Sequence, residues 1–149
     1  MSGIVCAIRG GPHSEPTISR AISLAQETGL PLYFLYVVNL DFLSYTSSSR
    51  THTISQEMRD MGEFILLSAQ SRAQQAGIPA QGIVRQGNVS AEIAAVCRQV
   101  EADYLVLGRP HFHKEDTVFT EELLAQFILL IEEQVRVPVV MPDEEGEPA

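Results

Sequence analysis

The sequence predicts a three-layer α/β fold, with helices covering both faces of a doubly wound, parallel, five-stranded sheet. Three observations carry that prediction. Short apolar runs alternate along the chain with longer runs whose apolar residues recur every three or four positions. The short runs are apolar at consecutive positions, as strands buried on both faces require. At 149 residues and 45 % hydrophobic content, the chain has the size of one domain and can bury a core without metals or disulfides. Strict alternation with right-handed crossovers then leaves the doubly wound parallel sheet.

The first strand is expected over Gly3–Ile8, broken by Arg9-Gly10-Gly11-Pro12-His13. Ser14 reads as a helix N-cap, with Glu15 and Pro16 favourable in the first turn. Ile18, Ala21, Ile22 and Ala25 give helical spacing, and Gly29 followed by Pro31 ends the helix. Leu32–Val38, rich in β-branched and aromatic residues, is the second strand. Asn39–Thr53 reads as irregular, either a functional flap or a mobile loop.

Thr53 with Gln56 fits a capping box for a long helix. Its apolar positions are Met58, Met61, Ile65, Ala69, Ala73 and Ala76, it ends at Gly77, and its methionines are expected to fill core. Ile83 and Val84 mark a third strand, less apolar and therefore towards an edge. Asn88–Val100 is the third helix, burying Ile93, Val96, Cys97 and Val100, and Tyr104–Leu107 the fourth strand. A second irregular loop, Arg109–Val118, precedes a helix over Thr120–Gln134 with a stripe of Leu123, Leu124, Phe127, Ile128 and Ile131. Val137–Met141 is the last strand, and Pro138 near its start suits an edge. The domain is expected to span residues 1–142, with Asp143–Ala149 a disordered acidic tail.

Charge narrows the function classes. The formal charge is −9, and four acids (Asp143, Glu144, Glu145, Glu147) fall in the last seven residues. The rest of the chain has ten bases, fifteen acids and no basic run, which excludes a counterion-displacing duplex binder. No apolar stretch reaches the ~20 residues needed to span a bilayer. Met1-Ser2-Gly3-Ile4 lacks the flank and apolar run of a signal peptide. Cys6 and Cys97 lie in apolar runs without CxxC spacing, and are expected to be buried, reduced thiols of a cytoplasmic protein.

In a doubly wound sheet, ligands sit beyond the carboxyl ends of the strands where the winding reverses. That points to the loops after the first and fourth strands. Ile4-Val5-Cys6-Ala7-Ile8-Arg9-Gly10-Gly11-Pro12-His13-Ser14 and Leu35-Tyr36-Val37-Val38 resemble the first two strands of universal stress proteins. Gly87-Asn88-Val89-Ser90-Ala91-Glu92-Ile93 resembles the family's Gly-Asp-Pro-Ala-Glu-x-Ile stretch. Ala102-Asp103-Tyr104-Leu105-Val106-Leu107-Gly108 resembles its fourth strand, and Val137-Pro138-Val139-Val140 its terminal strand.

The resemblance implies a Rossmann-like, adenine nucleotide alpha hydrolase-like sheet in the order 3-2-1-4-5. It also implies dimerisation through the last strand, Val137–Met141. The cofactor-binding positions it implies are Arg9, Gly10, Gly11, Val38, Gly108, Arg109 and His111, for AMP, ATP or another anionic metabolite.

The nucleotide-binding pattern of that family is incomplete here. ATP-binding members carry an acid after the first strand and a Gly-x-x-Gly-x9-Gly-(Ser/Thr) loop after the fourth. Arg9 stands at the acid, Gly108 fits the first glycine, and His111 replaces the second. Nine residues on stand Glu121-Glu122; aligned from Pro138, Ala125-Gln126 fall there instead and the loop is four residues longer. Glycines admit phosphate to backbone N–H groups, whereas glutamates at a helix start repel it. Both departures oppose classical ATP binding.

Arg9 and Arg109, with His13, His111, His113 and Lys114 nearby, gather positive charge that suits a smaller anion, unless each arginine pairs with neighbouring acids. His111, His113, Glu115 and Asp116 match no familiar metal-ligand spacing. His13 and Ser14 lack the third member of a hydrolase triad. The expectation is a non-catalytic, stress-associated or regulatory homodimer.

A rival reading comes from Arg9–Ser14, which partly resembles the Ser-Gly-Gly-x-Asp-Ser loop of PP-loop pyrophosphatases. It keeps both glycines and the last serine but lacks the first serine and the aspartate. On that reading the chain is a degenerate nucleotide-dependent enzyme, related to PP-loop or nucleotidyl-transfer proteins.

Overall fold

The computed structural model of the chain describes residues 3–9, 14–38, 48–108 and 121–142. Its elements run β1 (Ile4–Ala7), α1 (Glu15–Thr28), β2 (Leu32–Val38), α2 (Ser48–Gln75), β3 (Ala80–Gln86), α3 (Val89–Val100), β4 (Tyr104–Leu107), α4 (Glu121–Gln134) and β5 (Val139–Val140). The five strands form one parallel sheet in the order β3-β2-β1-β4-β5. This is the predicted doubly wound architecture.

Residue alternation along each strand assigns the two faces. Ile4, Cys6 and Ile8 of the first strand segment point to the side of α1 and α2, with Leu32, Phe34, Tyr36 and Val38 of β2 and Val106 of β4. Val5, Leu35, Leu105 and Leu107 point to the other side, against Ile93, Val96 and Cys97 of α3 and Ile131 of α4. The central strands must be apolar at every position because both faces are covered. Among the described residues Phe34 is the largest fully buried side chain, and it packs in the α1–α2 layer.

Helix ends follow local chemistry in some places and not in others. Gly29 adopts a left-handed backbone (φ 74°) and returns its N–H to the Ala25 carbonyl at 2.8 Å. Asn88 caps α3, its Oδ1 accepting the Ala91 N–H at 3.0 Å. Ser14, by contrast, makes no side-chain cap. Its backbone is already αR (φ −78°, ψ −18°), which turns the hydroxyl away from the first-turn N–H groups.

The expected Thr53–Gln56 capping box is also absent, because α2 begins at Ser48 and holds Thr53 inside it. Gln56 donates along the helix to Asp60 at 3.0 Å. Serine and threonine cost only about half a kcal/mol each in a helix, so a polar run can extend one that is anchored further on. The part of the expected irregular stretch from residue 48 on is therefore helical, and residues 39–47 lie outside those described.

Two more expectations change. Met61 is exposed and fills no core; the buried face of α2 runs through Gly62, Leu66, Ala69 and Ala73. Gly62 lies under the Tyr36 ring, where a Cβ would sit 2.8 Å from Tyr36 Cε2, so the missing side chain lets α2 rest directly on β2. The last strand is two residues, not Val137–Met141. Pro138 has no N–H to pair, its carbonyl accepts from Leu105 at 3.0 Å, and the Val139 N–H is taken by Glu132 at 3.2 Å. The tail, Asp143–Ala149, lies outside the described residues.

Both cysteines are free and buried, as expected. Burial disfavours the thiolate, pushing Cys97 from 9.0 up to about 12 against a smaller lowering by Arg98, and pushing Cys6 up as well.

Two predictions follow from this core. Phe34→Ala is expected to lower stability by about 3–5 kcal/mol in urea unfolding. Between pH 9.0 and about 12 the unfolded chain has lost the Cys97 proton that the folded chain keeps, so stability falls as pH rises through that window. The slope is at most ~1.4 kcal/mol per pH unit per thiol. Alkaline unfolding curves of Cys97→Ala should lose that share, and a thiol reagent should react only with denatured protein.

Candidate functional site

The winding reverses at β1, which has β2 on one side and β4 on the other. The crevice therefore opens beyond Ala7 and Leu107, which are partners in the β1–β4 register. On the other side Ala7 pairs with Leu35, so β2 continues three residues past that level to Val38. At ~3.3 Å per residue, β2 stands about 10 Å above the crevice floor. β3 rises with it, Val38 pairing with Gln86. The floor is β1 and β4, and the wall is β2 and β3.

Arg9 and Gly108 come together at that floor, each just past the last residues of neighbouring strands. The Ile8 N–H continues the ladder to the Leu35 carbonyl at 2.9 Å, which delivers Arg9 exposed at the rim. Among the described residues none forms an ion pair with Arg9.

Gly108 faces the first turn of α1. A Cβ at that position would lie 2.6 Å from Thr17 Oγ1, so any larger residue would have to displace the Thr17 side chain. Thr17 is 2 % exposed and Ser14 9 % exposed. Ser14 is expected as a cap, whereas Thr17 carries only a weak signal in the sequence: it stands beside Ile18 and four residues before Ala21, on the edge of the buried stripe of α1.

Val38 is placed differently. Its side chain is fully buried in the α1–α2 layer, and its carbonyl accepts the Gly87 N–H at 2.9 Å. It contributes to the wall through backbone, not side chain. Gly10, Gly11, Arg109 and His111 lie outside the described residues, as do His13, His113, Lys114, Glu115 and Asp116.

The electrostatics of the crevice are set by α1. Its amino end carries the partial positive charge of unpaired N–H groups. The acid in its first turn, Glu15, is engaged sideways by Arg72 of α2, which also donates to Ser19 at 3.0 Å. That pairing draws the carboxylate towards α2. A hollow of about 390 Å³ lined by Gln70, Gln74, Gly77, Ile78, Pro79 and Ala80 lies at the amino end of β3, the opposite end of the sheet from the crevice. Among the described residues no cluster of three or more His, Cys, Asp or Glu is close enough to hold a metal, and no helix is long and apolar enough to cross a membrane.

Comparison with known proteins places this geometry. No curated protein matches the chain in sequence. Solved structures do match in fold. A protein of the universal stress protein family from Burkholderia pseudomallei is 19 % identical with a TM-score of 0.70, over 95 % of this chain and 96 % of that one. The universal stress protein UspA from Lactobacillus plantarum is 14 % identical with a TM-score of 0.77, over 95 % and 97 %. A universal stress protein from Archaeoglobus fulgidus in complex with dAMP is 16 % identical with a TM-score of 0.66, over 96 % and 98 %. The sequence profile of the universal stress protein family matches residues 1–129, across eight of the nine described elements in whole or part. The chain belongs to the universal stress protein family.

Proposed function

We propose that the chain is a non-catalytic, cytoplasmic regulatory protein whose crevice takes a small anionic ligand of the nucleoside monophosphate class. The observation that carries this reading is the amino-terminal turn of α1, set against Gly108 just past β4 at the switch point, with Arg9 exposed just past the end of β1. Helix N–H groups and a guanidinium together bind one phosphate well. Similar solved structures of the family hold dAMP, cAMP and AMP. A triphosphate fits less well, because His111 stands at the second loop glycine, and neither Glu121-Glu122 nor Ala125-Gln126, the two alignments of the terminal Gly-(Ser/Thr), supplies that pair.

The non-catalytic reading draws on the sequence: His13 and Ser14 have no third triad member, and Arg9–Ser14 lacks the first serine and the aspartate of the PP-loop. A second copy is proposed to dock on β5, a two-residue strand paired only with β4, with Leu129 and Leu130 of α4 exposed nearby in sequence.

Thermal denaturation with AMP, dAMP, cAMP, ATP and inorganic phosphate tests the ligand reading. A monophosphate at a hundred times its Kd should add ~2.7 kcal/mol, or about 5–10 °C in Tm. Arg9→Ala should weaken that ligand about tenfold to a hundredfold. No shift with any of the five sinks the ligand reading. ATP cleavage that depends on Arg9 or Ser14 replaces it with the nucleotide-dependent enzyme. For the β5 interface, light scattering at micromolar concentration should show more than one copy, and a charge at Val139 should reduce the mass.

A further inference from the structure

Thr17 stands in the first turn of α1 with 2 % of its surface exposed. Its hydroxyl, not its methyl, is turned to the crevice floor. From the position a Cβ of Gly108 would take, Oγ1 lies at 2.6 Å, whereas Cβ and Cγ2 lie at 3.7 and 3.9 Å. Gly108 is itself only partly buried, so the hydroxyl faces the site through a position that carries no side chain.

Among the described residues no group hydrogen-bonds to that hydroxyl. Only the Thr17 carbonyl is engaged, by the Cys6 thiol at 4.0 Å. A buried hydroxyl without a partner is a net cost to folding, and valine would fill the same volume without it. A group that arrives from outside the chain accounts for it.

The rest of the turn has the same polarity. Pro16 has no N–H, and Ser14 lends no side-chain cap to the N–H groups that open the helix. Glu15, the acid of that turn, is held by Arg72. The turn therefore offers the crevice uncapped backbone N–H groups and a hydroxyl free to donate.

We propose that the Thr17 hydroxyl donates to the ligand's phosphate, and that the site takes a phosphate monoester in its dianionic form. The inference rests on the crevice reading proposed above and names the contact within it. Donors at the positive end of a helix are matched by a ligand that carries acceptors and negative charge. A terminal phosphate monoester offers more unesterified oxygens and more charge than a cyclic phosphate diester. A hydroxyl bonded to such an oxygen makes a charge-assisted bond, about twice as strong as a neutral one.

Calorimetric titration of the full chain with AMP, cAMP and adenosine tests this. Serine keeps the donor and valine keeps the shape, so the two variants separate contact from packing. Wild-type protein is expected to bind AMP about tenfold more tightly than cAMP. Thr17→Val should weaken AMP about tenfold to a hundredfold and leave adenosine unchanged, while Thr17→Ser stays within about threefold of wild type. The ligand-free melting temperature of Thr17→Val should equal or exceed that of wild type, since the variant loses an unsatisfied hydroxyl and no bond. A fall in that temperature makes the hydroxyl structural and overturns the proposal. So does AMP bound equally tightly by wild type and Thr17→Val, an outcome that leaves the crevice reading standing. Binding of cAMP as tight as that of AMP overturns the choice of a monoester. If wild type binds neither nucleotide, the crevice reading and this inference fall together.

Discussion

The structure depends on β1 being hydrogen-bonded on both edges and buried on both faces. Its four residues pair with β2 and β4 at once, and Ile4, Val5 and Cys6 have no exposed surface. A strand so enclosed tolerates neither a polar side chain nor a missing N–H, which explains the uninterrupted apolar run near the start of the sequence. It also divides the molecule: helices on either side of it belong to different layers, and the chain reverses its winding across it. The crevice is a consequence of that reversal.

The crevice shows how few residues a sheet of this kind needs to define a site. β2 and β3 outrun β1 and β4, so strand length alone makes a wall beside a floor. A glycine at the end of β4 then lets the first turn of α1 close over that floor, with Thr17 and Ser14 buried where the helix dipole is strongest. The Glu15–Arg72 pair turns aside the acid that would otherwise oppose an anion there. The chain is acidic on average, yet the described groups at this point are backbone N–H donors, hydroxyls and one guanidinium.

α2 illustrates a different division. Its inner side is small-residue and tight, with Gly62 against Tyr36 and Ala69 and Ala73 against the sheet. Its outer side is polar except for a short apolar ridge. A periodicity count over Met58, Met61 and Ile65 merges the two sides, because positions three apart differ by 60° in direction and a long helix has room for two stripes. Only the contact with β2 separates them.

By itself the sequence determined the element order, the doubly wound class and the boundaries of Leu32–Val38 and Tyr104–Leu107. It also located the turns at Gly29 and Gly77. These rest on local properties: apolar runs bounded by breakers, and glycines at positive φ. The same topology sets Arg9 and Gly108 just past the ends of the neighbouring strands β1 and β4. Tertiary structure decided what local chemistry leaves open. The Ser and Thr run before Gln56 entered a helix because residues further on anchor it. Pro138 shortened β5 because pairing needs an N–H. Thr17 became a buried neighbour of Gly108, and Met61 a surface residue, because burial is settled by what packs opposite a side chain, and that partner lies far away in the chain.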